Sequence, residues 1–115
     1  MNRFKDRKIY FYSNFIDMRF GIKKAQLLIS TNFSPIEISQ SIFIFPSKSG
    51  KIIKIYYEDE YGYWLLQNKL AFAKFKIPKD DISKQLMNPK LLEFFLKGME
   101  VIETKNKPKI EGESF

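Results

Sequence analysis

The chain has 115 residues and a formal net charge of +7, with 12 phenylalanines, 6 tyrosines and neither histidine nor cysteine. That length makes one domain that buries roughly two thirds of its unfolded surface. Missing thiols exclude disulfides, cysteine-bound zinc and thiol catalysis, and missing imidazole removes the usual metal ligand and the usual general base near neutral pH.

In chain order, Arg3, Lys5, Arg7 and Lys8 form a basic start that is either a solvated terminus or an arm touching phosphates. Ile9 to Phe15 alternates apolar and aromatic residues and predicts an edge strand. Asp17 stands as an N-cap ahead of a helix over about 17–31, whose buried stripe is Met18, Ile22, Ala25 and Ile29. Gly21 weakens that helix, so its backbone is expected to be closely approached, by the sheet or by a phosphate. Ile42 to Phe45, Lys51 to Glu58 and Tyr63 to Leu70 read as three strands joined by glycine-containing turns, with Phe75 to Ile77 as a fourth. Connections this short favour an antiparallel meander. Within the second strand, Ile53, Ile55 and Tyr57 share one face, while Lys54 and Tyr56 share a mixed face that a helix, a second subunit or a ligand covers. Asn88, Pro89 and Gly98 bracket a second helix over about 88–98. From Glu103 the chain is charged and reads as a loose tail. The expected organisation is a single domain over 1–102, a tail over 103–115, and an α+β fold in which a meander of about four to five strands is flanked by two helices.

Positive charge favours nucleic acid or an anionic surface, or serves solubility alone. Arg19, Lys23, Lys48, Lys51, Lys54 and Lys69 are the candidate phosphate contacts, although scattered lysines also protect sheet edges. Trp64 and Tyr56 are candidate partner contacts; the bland reading makes strand aromatics core residues. Glu58, Asp59 and Glu60, with Asp17, are the only carboxylates dense enough to suggest a metal-dependent nuclease, and a solvated turn is the simpler account. Neither a glycine-rich phosphate loop nor zinc spacing nor a helix-turn-helix pair is present, so no cofactor is expected. No apolar run approaches the ~20 residues of a membrane span, and no apolar segment follows the basic start as in a secretory signal. A cytoplasmic protein without a membrane partner is expected.

One ordered set of residues resembles a known family. Asp17-Met18-Arg19-Phe20-Gly21 is followed by Phe43 and Phe45, Ile53-Lys54, Tyr57-Glu58-Asp59, Gly62 with Trp64, Lys69-Leu70, and Phe75 with Pro78. Pro89, Leu92, Phe95, Leu96 and Gly98 close the set. The pattern, from about Ile9 to Glu100, is similar to TnpB, the small accessory protein family of IS66-type insertion sequences. It departs at Ser47 to Lys51, where the family loop is often arginine-rich, at Asn68-Lys69-Leu70, and at Ala73-Lys74. The resemblance implies a non-catalytic factor encoded beside a transposase and needed for transposition, and carries no catalytic residues. DNA and the transposase are the implied partners, with a homodimer possible. The alternative is an interaction module that docks on the transposase or on itself through the mixed face without binding DNA alone.

Overall fold

The computed structural model describes residues 6–12, 17–69, 82–85 and 99–107. Its strands are β1 (Lys8–Tyr12), β2 (Ser41–Pro46), β3 (Ile52–Glu58), β4 (Gly62–Lys69), β5 (Ile82–Gln85) and β6 (Glu100–Asn106). Its helices are α1 (Ile22–Ser30) and α2 (Pro35–Ser39). The strands form one sheet in the order β5-β1-β2-β3-β4-β6. The fold is α+β, with the meander β2–β3–β4 at its centre.

The turns make that meander. Gly50 takes a φ of 75° and its N–H donates to the Ser47 carbonyl, closing the β2–β3 hairpin. In the β3–β4 turn, Asp59 Oδ1 accepts the N–H groups of Tyr61 and Gly62 at 2.9 and 3.0 Å. Ile55 then lies opposite both Ile44 and Leu66, in the middle of three strands.

Alternation fills both faces. Ile9, Phe11, Ile42, Ile44, Ile53, Ile55, Tyr57 and Leu66 form one buried cluster. On the other face Tyr10, Phe43, Phe45, Tyr56 and Leu65 pack beneath Phe20, Ile22, Ala25 and Ile29 of the α1 segment and Ile38 of α2. The mixed face is therefore helix-covered. Each of Ile44, Ile53 and Ile55 is fully buried, and each such side chain contributes about 1.5–3 kcal/mol by leaving water.

Several expectations are corrected. Strand β1 runs inside the sheet between β5 and β2, parallel to β2, because α1 and α2 carry the chain back across the face. The first helix begins at Ile22 rather than at 17, with Gly21 as N-cap. A short helix, α2, was not expected; Ser34 and Glu37 form its capping box, with Pro35 at the start. The boundary expected at 102 falls inside β6, so residues 103–106 are strand. The expected strand at 75–77 and helix at 88–98 lie outside the described residues. No described helix is long and apolar enough to cross a membrane.

Candidate nucleic-acid interface

Asp17 does not cap α1. Its carboxylate folds back on Arg19, accepting the backbone N–H at 2.9 Å, Nε at 3.0 and 3.1 Å, and Nη2 at 2.6 Å. Hydrogen bonds from Arg19 hold the Asp17 carboxyl well below the usual range, and the same contact raises the guanidinium. Both side chains are exposed, 60% and 90% respectively, so the pair shapes local charge more than stability.

The start of α1 is capped from far away. Ile22 N–H donates to Glu103 Oε1 at 2.7 Å, across 81 residues. A helix N-terminus favours an anion because its first N–H groups lack intrahelical partners. Here the anion is the protein's own, delivered by β6. Gly21 makes this possible, since a Cβ there would overlap the Glu103 carboxylate. Of the two approaches expected at this glycine, the intramolecular one is realised.

The six candidate phosphate contacts divide. Lys54 is 4% exposed, its Nζ donates to the Phe20 carbonyl at 2.9 Å, and it lies 4.5 Å from the Phe20 ring centroid. Burial lowers its pKa. Lys54 ties the α1 segment to the sheet and is withdrawn from the surface, which corrects the expectation. Lys23, Lys48, Lys51 and Lys69 are exposed. None of the four forms an ion pair among the described residues.

Register places Lys48, Lys51 and Lys69 at one end of the sheet. Lys69 pairs with Ile52, beside Lys51, and Lys48 sits in the same hairpin turn. Lys54 is three residues, or about 10 Å, along the strand from Lys51, and it holds Phe20, next to Arg19. The α1 start thereby lies over the middle of β3, level with Lys54 and Tyr56. Around the α1 start, apart from the hairpin lysines, Arg19, Lys23 and Lys24 line an open depression of about 950 Å³. Asp17 and Glu103 share its rim and reduce its net charge.

The two candidate partner contacts are structural. Tyr56 is fully buried; its hydroxyl donates to Glu58 Oε2 at 2.7 Å and accepts from Gln26 Nε2 at 3.0 Å. Trp64 is half-buried and stacks on Tyr57 with the rings 6.1 Å apart and 5° from parallel, while its Nε1 donates to Asp59 Oδ1 at 3.0 Å. The acidic run is employed likewise: Glu58 holds Tyr56 and lies 4.0 Å from Lys107, and Asp59 organises the turn. Arg7, from the basic start, is a clasp that donates to the Ser41 and Glu58 carbonyls at 3.1 and 2.6 Å. Glu103 was missed because its segment read as tail; only the unexplained Gly21 hinted at it.

A family model described as IS66 Orf2 like protein matches residues 7–106, from the start of β1 to the end of β6. No curated protein and no solved structure matches the chain.

Proposed function

The chain belongs to the IS66 Orf2-like family, and from that premise we propose that it is a non-catalytic accessory factor of transposition that holds DNA by its phosphates at the hairpin end of the sheet. The observation that carries this reading is the grouping of Lys48, Lys51 and Lys69 at the hairpin end, all exposed and none in an ion pair among the described residues. Arg19 is a weaker contact, because Asp17 already satisfies part of its guanidinium. The transposase of the same element is the protein partner this reading expects, and the cytoplasm its compartment. With Tyr56 in the core and Trp64 stacked on Tyr57, docking through those two side chains loses its support.

Each phosphate neutralised releases counterions, so log K falls against log salt with a slope of about −0.9 per contact. Anisotropy titrations of a labelled duplex over a salt series, with and without transposase, test the proposal. Lys51→Ala and Lys69→Ala are each expected to flatten the slope by about one contact, and Arg19→Ala by less. Binding that ignores salt, or that survives both lysine substitutions unchanged, overturns it.

A further inference from the structure

Strand β6 is the outer strand next to β4, and all seven of its residues are exposed. Val101 and Ile102 keep 51% and 40% of their surface in water. A free edge offers unpaired N–H and C=O groups to any other strand, and lysines or a bulge commonly blunt it. Strand β6 has a register shift opposite Leu65 and Leu66, and it has lysines. Its charges are nevertheless ordered: Glu100 and Glu103 come first, Lys105 and Lys107 last. An edge bearing lysines alone repels its own copy. One that runs from acid to base attracts a copy laid antiparallel to it.

The backbone selects a register. Lys107 N–H donates to the Tyr61 carbonyl, so Lys105 and Glu103 also turn their backbone groups toward β4, while Thr104 and Asn106 turn theirs outward. A two-fold axis at Thr104 uses those outward groups. It sets Glu103 opposite Lys105 of the second copy, and both residues lie on the regular side of the register shift. Glu103 Oε1 is held by Ile22, which leaves Oε2 for the lysine.

We propose that the β6 edge is a self-association surface, on which two copies of this chain pair antiparallel about Thr104 to continue the sheet. The inference goes beyond the DNA reading and does not depend on it. Its consequence is geometric: a two-fold perpendicular to the sheet puts both α1 helices on one face, with Lys23 and Lys24 of each copy beside the seam. A seven-residue seam is small next to the standard interface of about 1,600 Å², so the dimer dissociates on dilution.

Analytical ultracentrifugation over a dilution series tests this. Lys105→Glu is expected to weaken the dimer by setting a carboxylate opposite Glu103 of the second copy, and Lys105→Arg to leave it intact. The two dissociation constants should differ by about tenfold or more, since each contact occurs twice. Both substitutions are at an exposed position, and circular dichroism checks that each variant is folded. A wild-type chain monomeric at every concentration, or two variants that dissociate alike, overturns the proposal.

Discussion

Gly21 and Glu103 make a coupled pair whose energetics follow from the geometry. A methyl group at Gly21 occupies the space of the Glu103 carboxylate, so Gly21→Ala expels the cap of α1. The glycine itself is extended, at φ −111° and ψ −168°, a conformation alanine adopts without strain. What is lost is the bond from Ile22 N–H to a charged acceptor. Such bonds are worth about 1.5–3 kcal/mol and exchanged caps about 0.5–2 kcal/mol, and Glu103 is solvent-exposed, so about 1–2 kcal/mol is expected. For a chain of this length that lowers the melting temperature by about 4–8 °C. Glu103→Ala removes the same bond and is expected to cost the same. In the Glu103→Ala background, Gly21→Ala becomes neutral or slightly stabilising, because the alanine then meets no carboxylate and narrows the unfolded ensemble. Urea denaturation of the four members of the cycle measures the coupling. Losses that simply add, or a harmless Gly21→Ala in the otherwise native chain, refute the capping account.

Two further expectations concern the buried polar groups. Lys54→Ala removes packing on Phe20 and the bond to its carbonyl, which lowers stability by about 2 kcal/mol; the salt slope of DNA binding should not change. Tyr56 is pushed up chiefly by burial and then by its bond to Glu58, so the folded state keeps a proton that the unfolded chain releases near pH ~10. Stability is therefore full below that pH and falls above it, by about 1.4 kcal/mol at about pH 11. Urea melts at both ends of that range should show this alkaline loss in the wild type and a smaller one in Tyr56→Phe.

Strands β2, β3 and β4 are legible in the sequence to within a residue because each ends at a turn with a local cause: Gly50 with its positive φ, and Asp59 with its two backbone bonds. The parallel seam between β1 and β2 is not legible. It depends on where the chain lands after two helices, which no local pattern encodes. Strand β6 hides for a different reason. The register shift near Leu65 interrupts the period of two, and its charged, exposed residues give no apolar rhythm. Helix α2 is too short for periodicity, yet Ser34, Pro35 and Glu37 spell its start. The candidate site divides along the same line. Lys48, Lys51 and Lys69 are exposed as their turns and strand ends suggest, whereas Lys54 sits on a face whose helical cover decides its fate.

The residues that carry the family resemblance are largely those that hold the fold. Gly21 admits Glu103, Lys54 anchors Phe20, and Asp59 fixes both its turn and Trp64. Gly62 belongs with them, since a Cβ there would strike the Lys105 carbonyl and push β6 off β4. Such residues fix the sheet and its covering helix, and through them the position of the hairpin end. Among the described residues, the cations left free of those duties at the hairpin end are lysines, point charges on flexible stems that suit phosphates and lack the planar fork needed to read a guanine edge in register. On the proposed reading, such a surface would hold the DNA backbone with little preference among base sequences and leave selection of the element's ends to the transposase.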